Sequence, residues 1–378
     1  MTVKNIQTKI KPKATNSNKT KIGGIKKETK TKGISNIKNS NSKKLFIIIM
    51  FTSVLLIVSS YAWLSASLDV KIKFFDLVVS SDSGLFISLD GIDFSDSVEI
   101  SINSVIRDLT RTYPNHTNQW AAGGLWPVSS NGIRNGNRDK FDIYGGEVSR
   151  LKSKVTNRRF LNTKLLSENK LDSYNKYIAF DLFLKNVSGS PKSDNLYLDE
   201  GTYIDFEDNT DDDTMTSMSN VINSMRFGFV RIGSTSSKSD VNTIQNLTCN
   251  SNCQMVIFEP HSTSHSPASI EKATEYGVTL LDGVYFPTYA VINEGEFLEH
   301  ASGHIGTGLP LDTAHFALQK TIKESDLSKP IFQIPNGITK FRAYVWIEGQ
   351  DIDSLETNSA GAAISLAINL IKDLAGYE

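Results

Sequence analysis

The chain has 378 residues, 40 of them basic and 41 acidic, a length that holds two or three average domains or one large β domain with tails. Only two cysteines are present, which excludes a disulfide scaffold. The near-neutral total divides by position: residues 1–44 hold 13 lysines and one acidic residue, Glu28, about +12, and the rest carries about −13.

Residues 1–44 are rich in Lys, Thr, Asn and Ser without apolar periodicity. Such a segment cannot bury enough apolar surface to fold, so a disordered cytoplasmic tail is expected. Near an anionic leaflet each lysine contributes roughly 1 kcal/mol, making lipid headgroups its expected partner. Without arginine or aromatic residues the tail lacks a stacking platform, and no nucleic-acid partner is expected.

Residues 45–64, LFIIIMFTSVLLIVSSYAWL, contain no charge. At about 1.5 Å per residue a helix of this length matches the roughly 30 Å hydrocarbon layer. Its Leu, Ile, Val and Phe side chains favour insertion by roughly 4 to 7 kcal/mol in total, and Tyr61 and Trp63 sit where rings favour the interface. A buried core helix would carry a polar stripe, which this segment lacks. A cleaved signal peptide ending at Ala62 is the other alternative, but the residues ahead of the run exceed a whole signal peptide of about 15–30 residues. A retained anchor is therefore expected. Lysines on the N-terminal flank place the N-terminus in the cytoplasm and residues from about 66 onward outside; secretion after cleavage near Ala62 is the alternative.

Beyond the anchor, residues 68–378 read as one extracellular β-rich domain. Runs at 70–80, 84–90, 97–102, 177–187, 225–232, 255–258, 341–348 and 363–370 are rich in β-branched and aromatic residues. In the last, Ile364, Leu366, Ile368 and Leu370 alternate with small or polar residues, as a half-buried strand requires. Helical patterns are short, at 219–224 and 269–276, and 161–174 is ambiguous. Strands in series separated by turn signals predict a β-sandwich or jelly roll with long loop insertions, among them 107–142 and 209–219.

The chain resembles small exported surface proteins of Gram-positive bacteria at the YAWL ending of the anchor, at SSDSGLFISLDG, at YIAFDLFLKN, NLYLD and NSMRFGFV, and at FRAYVWIEGQDIDS. In that group a membrane segment runs through a Tyr-Ala-Trp-Phe-like tetrad into a β-sandwich; camelysin-like proteins and fibre-forming matrix subunits with a jelly-roll sandwich are relatives of this style. The resemblance implies a surface or matrix role and an architecture, and no catalytic residues. The tail here is longer than in those proteins, and the tetrad ends in Leu64.

Candidate chemistry is sparse. Asp205, Glu207, Asn209, Asp211 and Asp213 alternate in IDFEDNTDDDT, a set of oxygens suited to a weak structural calcium, although Thr210 stands where an EF-hand needs glycine. Cys249 and Cys253, in LTCNSNCQ, are expected to pair outside the cell and close a small loop worth roughly 2 kcal/mol. His261 with His265, and His300 with His304, share a spacing that suits metal on a helix, but Ser, Gly and Pro surround them. Loop histidines bonded to water or backbone are the expectation, for these and for His315. Ser149 and Lys152 match a Ser-x-x-Lys pattern with no supporting context. No phosphate loop, nucleophile elbow or CxxC is present. A non-catalytic structural or adhesive surface protein, self-associating or bound to a surface partner, is the expected function. A ligand- or glycan-binding ectodomain using Trp120 and Trp126 is the alternative, and a metal-dependent hydrolase a weaker one.

Overall fold

The structure is a computed structural model, which describes residues 75–81, 84–121, 124–134, 140–150, 159–168, 170–171, 173–189, 191–206, 220–249, 253–275, 278–291, 297–299, 316–355 and 364–373. The lysine-rich tail and the apolar run at 45–64 lie outside them. Among the described residues no helix is long and apolar enough to cross a membrane.

The described residues are mainly β, with strands numbered in chain order. One six-stranded sheet runs β16 (Phe332–Ile334), β8 (Asp194–Leu198), β18 (Ile364–Asp373), β1 (Phe75–Ser81) and β3 (Ser97–Ile100), with β9 (Tyr203–Phe206) also on β18. A second runs β15 (Ile322–Lys323), β11 (Met255–Glu259), β10 (Met225–Thr235), β17 (Gly337–Ile347), β7 (Tyr177–Asn186) and β2 (Leu85–Ser88). Smaller sheets join β13 (Phe297–Glu299), β6 (Arg159–Leu165), β5 (Phe141–Arg150) and β4 (Ser129–Arg134), and pair β12 (Tyr289–Val291) with β14 (Phe316–Leu318). Short α-helices interrupt the strands, among them α1 (Leu109–Thr112), α2 (Val241–Gln245) and α3 (Pro267–Glu275), and residues 220–223 are helical as well, within the expected 219–224.

One apolar core joins the two large sheets. Ile364, Leu366, Ile368 and Leu370 of β18 are buried with Leu196 and Leu198 of β8 on one side. Phe180 and Leu182 of β7, Phe227 and Phe229 of β10, and Phe341, Ala343 and Val345 of β17 meet them from the other. Each fully buried Leu, Ile or Phe contributes about 1.5–3 kcal/mol, so these period-two stripes supply the main drive for folding. The first sheet contains one parallel pairing, in which β1 lies against β18 from Phe75 opposite Ile364 to Ser81 opposite Leu370.

The second sheet is covered on its far face as well. Tyr344 and Trp346 of β17 pack there with Phe141 and Ile143 of β5 and Val230 of β10. Farther along, Ile338 and Phe183 meet Leu109, Tyr113 and Ile244. Every residue of β17 is consequently buried, polar ones included.

Several expectations take a different form. Residues 161–174, ambiguous in the sequence, hold the end of β6 and, among the described residues after it, turns. The insertion at 107–142 begins within a π turn at Asn103–Arg107, continues through α1, and ends in β4 and the start of β5. The helix expected at 269–276 begins earlier, because Ser266 caps it: its Oγ accepts the Ser269 amide at 3.1 Å, with Pro267 next in the chain.

Gly228 marks the tightest contact on the far face. A Cβ there would stand 2.7 Å from Phe141 Cε2 and 2.8 Å from Trp346 Cζ3. Gly228→Ala is expected to lower stability by about 1–3 kcal/mol through this overpacking. A urea midpoint equal to that of the parent chain would show that the rings move aside at no cost.

Candidate functional site

Among the described residues, two buried polar clusters are built on β17, apart from a smaller one in which Lys372 meets Asp194 and Asn186. The first lies on the far face, at residues facing away from the shared core. Arg342 stands opposite Asp181 of β7 in register and donates from Nη1 to Asp181 Oδ1 at 2.8 Å. Its Nη2 reaches Glu168 Oε2 at 2.7 Å and the Thr117 carbonyl at 2.8 Å. Tyr113 donates to Asp181 Oδ2 at 2.7 Å, while Lys340 Nζ lies 3.3 Å from the same oxygen. Tyr344 and Lys140 complete the shell around Glu168. Burial raises the Asp181 carboxyl, but Arg342, Lys340 and the Tyr113 bond outweigh it and hold the group at about 2.

The second cluster forms where β17 runs out. After Ile347 the chain turns through Glu348, Gly349, Gln350 and Asp351 into a 3-10 turn at Ile352–Leu355. The Asp353 amide donates to Asp351 Oδ1 at 2.8 Å, which fixes the two carboxylates side by side. Arg226, at the start of β10, is fully buried and bonds Asp351 Oδ2 as well as Glu259 Oε1 at 2.9 Å. Lys323 and Thr321 hold the other oxygen of Glu259 at 3.0 and 2.6 Å. His265 Nδ1 donates to Asp353 Oδ2 at 2.6 Å, and the Ser266 amide to Asp353 Oδ1 at 3.1 Å, just ahead of α3. Glu348 receives Trp346 Nε1 at 3.1 Å and Gln319 Nε2 at 2.8 Å.

Burial dominates the electrostatics of this second cluster. It pushes Glu348 and Asp351 above the usual carboxylate range despite the pull of Arg226. Glu259 goes the other way, because Arg226 and Lys323 together outweigh its burial. Burial also opposes a charged His265, but the Asp353 bond and the fields of Asp351, Asp353 and Glu259 prevail and raise it.

His265 and Asp353 have the makings of an acid–base dyad. The second ring nitrogen, Nε2, is however buried and has no hydrogen-bond partner among the described residues. A general base must reach the proton it removes; here it faces the protein interior, with the Phe286 ring 5.3 Å away, edge to face.

The remaining candidates are placed as follows. His261 donates from Nε2 to the Ile204 carbonyl at 2.9 Å, the backbone bond expected of a loop histidine. His265 departs from that expectation, since its side chain is almost wholly buried in an ion pair. His300, His304 and His315 lie outside the described residues, as do Glu207, Asn209, Asp211 and Asp213. Asp205 is exposed on β9, opposite Ser365 of β18. Cys249 and Cys253 are joined in a disulfide with Cα atoms 5.8 Å apart. Trp120 is half-buried against the shared core, and Trp126 is half-buried with the Lys176 ammonium 4.9 Å from its ring. An open cleft of about 520 Å³ lies elsewhere, lined in part by Glu200, Tyr203, His261, Glu324 and Leu327.

In comparisons with known proteins, no family model, curated protein or solved structure matches this chain.

Two outcomes follow from the charge pairing. Arg226→Met removes the cation from two buried carboxylates and is expected to cost about 3–5 kcal/mol of stability; a loss below 1 kcal/mol, measured by urea unfolding, would show that solvent reaches them. Asp181 titrates at about 2 in the folded chain against an ordinary 3.8. Its stabilising effect is complete above pH 4 to 5 and disappears as pH falls through about 2. The stability gap between the parent chain and Asp181→Asn should therefore be constant from pH 5 to 7 and narrow below pH 4. A gap unchanged down to pH 2.5 would contradict the pairing.

Proposed function

We propose that the chain is a membrane-anchored cell-surface protein whose ectodomain is a β-sandwich acting by contact, in a structural or adhesive role, rather than by catalysis. The observation that carries this reading is the direction of its polar chemistry. The charged side chains of both clusters are directed at internal partners, and the His265–Asp353 dyad has its other ring nitrogen buried. Such an arrangement holds strands together and offers a substrate nothing.

The uncharged run at 45–64 with its lysines on one flank supports anchoring, with the N-terminus inside and the bilayer and anionic headgroups as partners. A disulfide between Cys249 and Cys253 suits an oxidising exterior. A structural calcium at Asp205 and the acidic residues after it belongs to the same reading, since exterior loops of this kind bind the ion weakly. Ligand binding is a second reading, favoured by the cleft, where two exposed carboxylates, Glu200 and Glu324, flank the half-exposed Tyr203 ring.

Protease shaving of intact cells should remove residues beyond about 70 and spare the lysine tail. Deletion of the chain should weaken attachment or cohesion of the cells, and the full-length chain should restore it. Tail peptides released from sealed cells would reverse the orientation; unchanged attachment and cohesion would sink the contact role.

A further inference from the structure

The second buried cluster has too little positive charge for the carboxylates it contains. Arg226 pairs with Glu259 and Asp351 and feels Glu348, Lys323 pairs with Glu259, and Asp353 pairs with His265, so four carboxylates face two fixed cations, leaving two negative charges in excess among these residues when His265 is neutral. An excess of that size in a dry interior is costly, and is relieved either by protons or by a bound cation.

The donor atoms for a cation are already gathered. One atom each from His265, Asp351 and Asp353 lie within 4.8 Å of one another, and the two carboxylates are buried. Three constraints hold them: the Asp353 amide bonded to Asp351 Oδ1, the Ser266 amide bonded to Asp353 Oδ1, and Arg226 on Asp351 Oδ2. Between Glu348 and Asp351, Gln350 is fully buried and neither its side-chain oxygen nor its nitrogen has a hydrogen-bond partner among the described residues. A buried amide left unpaired is rare and calls for a partner; an amide oxygen is itself a competent metal donor.

We propose that His265, Asp351 and Asp353 form a structural binding site for a divalent cation of the zinc type, joining the loop after β17 to the start of α3. The donor set decides the class of ion. One imidazole nitrogen with two carboxylates suits zinc, whereas calcium takes six to eight oxygens and a roomier shell. Binding is an exchange that starts from the protonated ring, with one negative charge in excess: the His265 Nδ1 proton leaves for solvent, which makes the excess two, the divalent cation takes its place and cancels it, and the neutral imidazole keeps its other proton on Nε2. Arg226 keeps its bond to Asp351, since each carboxylate oxygen has two lone pairs. Burial of the ligands makes the role a clamp between segments, without a coordination position open to substrate.

The full-length chain, purified in detergent and stripped with chelator, tests this directly. Titration with zinc chloride should give one equivalent bound, release of protons, and a higher melting temperature, and calcium chloride at the same concentration should not displace that zinc. Asp353→Asn should weaken zinc binding by roughly 100-fold or more, and Asp205→Asn, on the exposed acidic segment, should leave it unchanged. Absence of stoichiometric zinc in the reloaded parent chain overturns the proposal, and needs no variant to fold. Equal zinc affinity in the parent chain and Asp353→Asn overturns it too. Neither result bears on attachment of cells, so failure here and failure of the contact role are separable.

Discussion

The architecture depends on β17 being buried on both faces. A strand with one wet face can place lysine and arginine in water at no cost, but β17 has Phe341, Ala343 and Val345 in the shared core and Lys340, Arg342, Tyr344 and Trp346 under covering segments. Each charge on the covered face must find its partner inside, or pay several kcal/mol in lost hydration. The partners come from distant parts of the chain: Asp181 from the neighbouring strand, Glu168 from the turn after β6, and the Thr117 carbonyl from the early insertion. Covering segments and central sheet are thereby held in one register, and no layer can shift without stranding a charge.

The same constraint explains the second cluster. Where β17 ends, its last side chains still lie in the interior, so the loop that follows begins dry. Glu348, Asp351 and Asp353 would be ordinary surface turn residues elsewhere; here they become buried acceptors around Arg226. Ser266 and the start of α3 are drawn to Asp353 because the positive end of a helix and an amide donor both favour a carboxylate.

Legibility in the sequence followed the range of the interaction. Local periodicity marked the long strands: the alternation of Ile364, Leu366, Ile368 and Leu370 is the burial pattern of β18, and the apolar runs of β7 and β10 are strands within a residue or three of their expected limits. Short pieces such as β8, β12 and β16 carry too few residues for a period to show, and are made strands by their neighbours. The two clusters were hidden for a different reason. Asp353 lies 88 residues from His265, and Asp351 lies 125 from Arg226, so no window holds both members of a pair. FRAYVWIE reads as a strand, but nothing in it shows that the face of Arg342 and Tyr344 is covered, and part of that cover comes from the insertion at 107–142, which reads as a loop. One local cue was available: Ser266 before Pro267, with Ser269 beyond, is a helix-capping signature that places the chain beside His265 at a helix start.

The parallel pairing of β1 with β18 has a mechanical consequence. β1 is the first of the described strands, and seven consecutive positions, Phe75 to Ser81, lie beside Ile364 to Leu370. On its other side, Leu77 to Ser80 pair with β3. A tug on the chain ahead of Phe75, directed along the strand, runs across these backbone bonds rather than opening them from one end. The ladder is then loaded in shear, so its bonds share the force and must fail nearly together, whereas a hairpin pulled at its open end parts one rung at a time. Survival under tension is set by the rate of that rupture and not by equilibrium stability. A strand in this position behaves as a tether fixing that resists steady traction far better than the modest length of β1 suggests.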